Sequence, residues 1–225
     1  MCASTKIMSI TTSSDSISVG TKKTKGVDLD VAVSNACAST KVVLTVSSPG
    51  KTRTFTADRT DRLKGSGLNG SSVDVTYYTV GIDLEPKRLE PTDAGTWHTS
   101  AELTTEDGTA TKQGPDLTVR HATRTTFDAK PDTVRKGRPV TLVGRLTQAD
   151  WTTRKYVDKP HDELVLQWRP KGDSQFRDLT KLAVDDGGYW GTSLTLTGSG
   201  CFRGVYAGSE TLAPVTSRTD CVRVK

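Results

Sequence analysis

Three histidines, His98, His121 and His161, are the only imidazoles this chain offers for acid–base or metal chemistry, and they stand far apart. His98 lies beside Trp97 in a strand-like segment, His121 falls where two halves of the chain meet, and His161 closes a polar stretch. A hydrolytic triad needs a nucleophile and an orienting carboxylate around the imidazole, and no Ser, Asp or Cys is placed near any of the three in such a pattern. Gly65-Ser66-Gly67-Leu68-Asn69-Gly70 spells GxGxxG. A dinucleotide loop of that form needs a buried strand before it and a helix after it, so that N–H groups at the helix start meet the pyrophosphate. Here a charged run precedes it and the alternating segment Val73–Val80 follows, so a loop without a cofactor is expected. Ser48-Pro49-Gly50-Lys51 spells SxxK, but on a turn rather than a helix. Asp28 and Asp30 alternate along one strand and Asp185-Asp186 open a turn, and neither pair converges as the oxygens around calcium must. The reading is a chain with no catalytic residue, no cofactor and no metal site.

The four cysteines, Cys2, Cys37, Cys201 and Cys221, carry no CxxC spacing, so disulfides are expected in place of metal or redox chemistry, and with them an oxidising compartment. Cys201 precedes core-type Phe202 and Cys221 precedes core-type Val222, which turns both thiols to the outer side of adjacent strands and pairs them. Cys2 and Cys37 then remain to tie the N-terminal strand to the end of the second one. A lipidated Cys2 is the competing reading, and it would leave Cys37 as an odd thiol. Met1 directly before Cys2 reads as a start placed on a mature chain, from which a signal peptide has been removed.

For binding, the richest segment is Asp150-Trp151-Thr152-Thr153-Arg154-Lys155-Tyr156-Val157-Asp158-Lys159-Pro160. It places two aromatics and three cations in a connection between strands, where rigid elements hold variable loops. Trp, Tyr and Arg are the residue types that dominate interface energetics. Trp151, Arg154, Lys155 and Tyr156 are therefore the candidate partner-binding residues. The alternative is that Trp151 and Tyr156 fold back to cap the end of a domain. Lys22, Lys23 and Lys25, and the group Arg53, Arg59, Arg62 and Lys64, lack the interleaved aromatics of a nucleic-acid surface and read as solvated faces, so no nucleic-acid partner is expected. No run approaches the roughly 18 apolar residues of a membrane span.

What must position these residues is a set of strands. Val27–Val33, Val73–Val80 and Val140–Leu146 alternate apolar with polar residues, while Ser48-Pro49-Gly50, Asp107-Gly108 and Asp186-Gly187 supply turns. No window carries a capped helical stripe. Only 33% of the 225 residues are hydrophobic, a thin supply that alternating strands use economically. The class is all-β. A repeat lies within it. Lys25-Gly26 matches Lys136-Gly137 at an offset of 111, and Val43–Val46 matches Val165–Trp168 at 122, which places an 11-residue insertion within 149–162 of the second copy. Gly95-Thr96-Trp97 matches Gly200-Cys201-Phe202 and Leu117–Val119 matches Val222–Val224, both at 105, so equal final hairpins are expected, with Thr96 and Asp116 in place of the paired cysteines. Each copy has the length of an immunoglobulin-type sandwich. Two immunoglobulin-like antiparallel β-sandwich domains in tandem are expected, over residues 1–120 and 121–225. Charge divides along the same line. Residues 1–122 hold 14 basic and 14 acidic side chains, residues 123–225 hold 17 and 12, and the whole net charge of +5 belongs to the second copy.

Phe127–Pro131 followed by Val134–Leu142, with the later Tyr206-Ala207-Gly208 and Leu212-Ala213-Pro214, resembles the Ig-like repeat of secreted actinobacterial proteins. The resemblance spans the second copy and reaches the first through the internal repeat. It implies the fold and secretion. A Trp and Tyr spaced like Trp151 and Tyr156 recur in that family, which favours the capping role. The expected function is a non-catalytic extracellular interaction module, an adaptor or spacer with a protein partner. Binding of a cell-wall glycan is the alternative, and inhibition of a secreted hydrolase a weaker one.

Overall fold

The structure is a computed structural model describing residues 5–57, 59–66 and 72–225. It divides into two compact units, Met1–Arg120 and His121–Lys225. The chain contributes β1 (Lys6–Thr12), β2 (Ser16–Val19), β3 (Lys25–Ser34), β4 (Lys41–Ser47), β5 (Thr52–Thr56), β6 (Arg59–Ser66), β7 (Ser72–Leu84), β8 (Gly95–Thr105), β9 (Gly108–Gln113) and β10 (Leu117–His121) to and around the first unit. One sheet runs β1-β3-β7-β6, and the other runs β2-β10-β8-β4-β5 with β9 also on β8. Splitting the first strand between two sheets, with the remaining hairpins shared between them, is the arrangement of an immunoglobulin-like sandwich. The alternation read in the sequence supplies the core. Val27, Leu29 and Val31 of β3, Val42, Leu44 and Val46 of β4, and Trp97, Thr99, Ala101 and Leu103 of β8 are buried, and the residues between them face outward or sit half-covered. Residues Gly67–Gly70 of the GxGxxG string lie outside the described residues.

The second unit contains β11 (Thr123–Thr125), β12 (Asp128–Lys130), β13 (Thr133–Val134), β14 (Pro139–Asp150), β15 (Lys155–Asp158), β16 (Glu163–Pro170), β17 (Arg177–Ala183), β18 (Tyr189–Thr195), β19 (Gly200–Tyr206), β20 (Val215–Thr216) and β21 (Asp220–Val224). In one sheet β14 pairs with β11, β12, β15 and β18; the other runs β13-β21-β19-β16-β17, with β20 on β19. All of these pairs are antiparallel except β13 with β21, which runs parallel. Val140, Leu142, Leu146, Leu164, Leu166, Trp190, Phe202 and Val222 meet in the core. Trp190 lies against Gly144 and Gly204, and a Cβ on either glycine would collide with its ring. Those two positions admit only glycine as long as the indole stays buried.

The two units differ in two respects that the repeat did not foretell. In the first, β6 lies beside β7; in the second, among the described residues, no strand occupies the corresponding place beside β18, and the chain turns directly from β17 into it. The final hairpins also differ in length. Thr96 is paired with Thr118, whereas Cys201 is paired with Cys221. The position opposite Thr96 is therefore Thr118, not Asp116, and the second hairpin is two residues shorter.

Cys201 and Cys221 form a disulfide across 20 residues, worth about 3 kcal/mol if the bond acts by restricting the unfolded chain. Cys37 is disulfide-bonded as well. The expected bridge to Cys2 falls on a residue outside those described.

Candidate functional site

The segment singled out in the sequence is a hairpin. Along β14 the buried positions run Val140, Leu142, Leu146 and then Ala149, so the alternation slips by one residue and Trp151 inherits the inward side. The strand continues to Asp150, turns through residues 151–154, and returns as β15 with Ala149 opposite Tyr156 and Thr147 opposite Asp158. Asp150 builds the turn. Its Oδ1 accepts from the Thr152 N–H at 2.9 Å and the Thr153 N–H at 3.4 Å, and its Oδ2 accepts from the Thr153 hydroxyl at 2.7 Å. The Thr153 hydroxyl outweighs the opposing effect of burial and, helped by these N–H groups and by His121, holds the Asp150 carboxyl below the usual range. At the tip Arg154 adopts a left-handed φ of 57°.

Trp151 is only 2% exposed, and its ring stacks on His121 with centroids 3.8 Å apart. So little exposed, the indole presents no surface to a partner: the slip in β14 turns Trp151 inward against His121, which favours the capping role over a contact. Tyr156 is half-buried, with the Arg124 guanidinium 3.6 Å above its ring centroid. Arg154 and Lys155 are exposed at the tip. His121 is fixed from the other side, since its N–H donates to the Thr211 carbonyl at 2.9 Å and its carbonyl accepts from the Ala213 N–H at 3.0 Å. The other end of the hairpin is tied by Arg145, which forms a salt bridge to Asp158 at 2.7 Å.

Of the other histidines, His98 Nδ1 lies 2.8 Å from Asp116 Oδ1, both on the surface, and His161 Nε2 lies 3.4 Å from Asp186. Among the described residues no group of three His, Cys, Asp or Glu side chains is arranged to hold a metal ion, and no helix is long and apolar enough to cross a membrane.

A polar centre in the first unit had no counterpart in the sequence reading. Asp93 is fully buried. Its carboxylate accepts from the Glu90 N–H at 2.9 Å and the Ser48 hydroxyl at 3.0 Å, and Arg53 reaches both oxygens at 3.4 Å. The Trp97 indole N–H donates to the Asp93 carbonyl at 2.6 Å, and the Arg53 guanidinium stands 5.0 Å from the Trp97 ring centroid. The one signal in the sequence was a carboxylate three residues after Glu90 with a Trp four residues further on. The arrangement locks the entry to β8 and offers no open face to a ligand.

These strand orders define two immunoglobulin-like β-sandwiches in tandem. No protein-family model matches the chain, and no curated protein matches it. Among solved structures it is similar to a chimeric titin Z1Z2 functionalized with a KLER exogenous peptide from decorin, at 16% identity over 98% of both chains with a TM-score of 0.29. It is also similar to the I-band fragment I67-I69 of titin, at 10% identity over 98% of this chain and 67% of that one, with a TM-score of 0.34. A third is FdeC, an Escherichia coli adhesin, at 13% identity over 98% of this chain and 64% of that one, with a TM-score of 0.32. The likeness at these scores carries no argument about function.

Proposed function

We propose that the chain is a non-catalytic protein-interaction module of an extracellular or cell-surface assembly, an adaptor or spacer that meets its protein partner through the β14–β15 tip. The observation that carries this reading is the division of labour in the hairpin. Trp151 and Asp150 fix its base and turn, while Arg154 and Lys155 are presented to solvent from a scaffold that has little entropy left to lose on binding. Tyr156 adds a half-buried aromatic flank beside them. Two cations side by side call for an acidic patch on the partner. Secretion is supported by the bonded cysteines and by the resemblance of the second unit to secreted actinobacterial repeats.

The test compares the wild-type chain with Arg154→Ala/Lys155→Ala as baits in culture supernatant. A partner retained by the first and lost by the second, at equal melting temperature, supports the reading; equal retention overturns the hairpin as the contact. Binding to a cell-wall glycan is the second reading, and one observation favours it. Tyr189 is 48% exposed beside Val143 at 40%, on the rim of a groove floored by Phe127 and Gly144. Loss of sedimentation with insoluble cell wall in Tyr189→Ala would support it over the first. An inhibitor of a secreted hydrolase would use the same tip, and is distinguished by loss of the captured partner's hydrolytic activity.

A further inference from the structure

The outer face of β16, β19 and β21 carries a second feature, independent of the hairpin. The register sets Arg169 opposite Cys201 and Cys201 opposite Cys221, so the disulfide lies at the middle of a three-strand row. Two residues along β19 on the same side stands Arg203, and two along β21 stands Arg223. Lys171 follows the end of β16, its N–H bonded to the Ser199 carbonyl at 2.9 Å. A groove of about 420 Å³ runs through this region, lined by Arg169, Lys171 and Arg223 along with the disulfide.

Two properties set this groove apart from a solvated basic face. The first is that its cations have no internal counter-charge. Among the described residues none of its cations Arg169, Lys171 and Arg223 forms a salt bridge, nor does Arg203 next to it on β19. The two carboxylates on the rim are already engaged, Asp132 with Lys130 at 3.0 Å and Asp173 with Arg177 at 2.9 Å. The second is that the guanidinium of Arg169 in the groove, and that of Arg203 next to it on β19, are held in place. Arg169 and Arg203 stand 4.9 and 4.1 Å from the ring centroid of half-buried Phe176, and the Arg203 Nε–H donates to Gln167 Oε1 at 2.8 Å. The Phe176 ring restrains both guanidiniums, which lowers the entropy lost on binding.

We propose that this groove binds an acidic peptide segment of a protein partner, laid across β16, β19 and β21. Carboxylates would meet the cations, and apolar side chains would lie on the disulfide. The rim carboxylates Asp132 and Asp173 favour a peptide over a uniformly anionic glycan, because they repel a continuous run of negative charge but tolerate charges spaced by apolar residues and backbone N–H groups. The second unit holds the whole net positive charge of the chain, which steers such a segment toward this unit.

The probe is a fluorescein-labelled peptide of alternating Glu and Val, about eight residues long, enough to cross three strands at ~3.4 Å per residue. Fluorescence anisotropy with the full chain should show saturable binding that weakens with added salt, and a Lys/Val peptide should not bind. Lys171→Ala/Arg223→Ala changes only exposed side chains, so the fold should stand, and it should weaken binding about tenfold or more. Lys22→Ala/Lys23→Ala removes the same charge from the first unit and should leave the affinity unchanged. The proposal is overturned if the Glu/Val peptide does not saturate, if the two double variants weaken it equally, or if dextran sulfate binds through Lys171 and Arg223 and the peptide does not. None of these outcomes depends on the hairpin tip.

Discussion

The rings of His121 and Trp151 lie stacked with centroids 3.8 Å apart and planes 26° from parallel, which joins the first residue of the second unit to the turn between β14 and β15. Removal of the indole should open a cavity at the domain end and expose His121. Trp151→Ala is expected to cost about 3–5 kcal/mol, read by denaturant unfolding. Partner binding should fall less than in Arg154→Ala/Lys155→Ala wherever the variant remains folded, because the ring touches no outside surface and acts only by fixing the hairpin base.

The same stack sets the size of the smallest autonomous second unit. A fragment of residues 121–225 should fold alone under oxidising conditions with a single cooperative melt. One that begins at residue 123 should melt lower, as it lacks the stacked ring and the two backbone hydrogen bonds to Thr211 and Ala213. An unfolded 121–225 fragment would show that the two units share their stability.

Asp150 makes the hairpin sensitive to acid. Its folded-state pKa is depressed, so its contribution is complete above the ordinary value of 3.8 and is lost as pH falls through the lower folded value. Asp150→Asn should therefore destabilise the protein at neutral pH, and the difference from wild type should shrink toward zero in strong acid. A constant difference at all pH values would assign the loss to geometry instead of charge.

Arg154 occupies a left-handed conformation that costs a side-chain-bearing residue about 1–2 kcal/mol. Arg154→Gly should raise stability by about 1 kcal/mol while weakening the partner contact. Stability and binding then move in opposite directions in one variant, a pairing that thermal melts and the bait experiment detect together.

Among the described residues of the first unit, Asp93 is the most heavily bonded carboxylate. Asp93→Ala strands the Glu90 N–H, the Ser48 hydroxyl and the Arg53 cation, and should cost about 3–5 kcal/mol. Arg53→Met should cost less, since Asp93 keeps its two shorter hydrogen bonds and Trp97 keeps an apolar neighbour.

Much of the sandwich is legible in the sequence because strand alternation is local. Val27, Leu29 and Val31 announce their own buried face, and the outward phase of Cys201 and Cys221 follows from Phe202 and Val222 next to them. The hairpin is only half legible. Its location follows from the 11-residue excess in the repeat, but the slip between Leu146 and Ala149 that turns Trp151 inward has no residue type to mark it. The partners of Asp93 come from three separate segments, and Arg169 and Arg223 are 54 residues apart in the chain, so only the strand register brings them to their neighbours. The difference in hairpin length escaped for a related reason. Matching Leu117–Val119 to Val222–Val224 follows residue type, whereas pairing follows hydrogen bonds.

The parallel pairing of β13 with β21 has a mechanical side. Thr133 faces Arg223 and Val134 faces Val224, and hydrogen bonds from the Arg223 N–H to Asp132, the Lys225 N–H to Val134 and the Lys136 N–H to Lys225 close at 2.8, 2.9 and 3.0 Å. Because the two strands point the same way, a tug that drew the start of one away from the end of the other would slide them lengthwise. All these bonds would then bear the strain at once, where an antiparallel hairpin peeled from its open end yields one bond at a time. The seam between β13 and β21 would in consequence resist a pull along the strands more strongly than a pull across them.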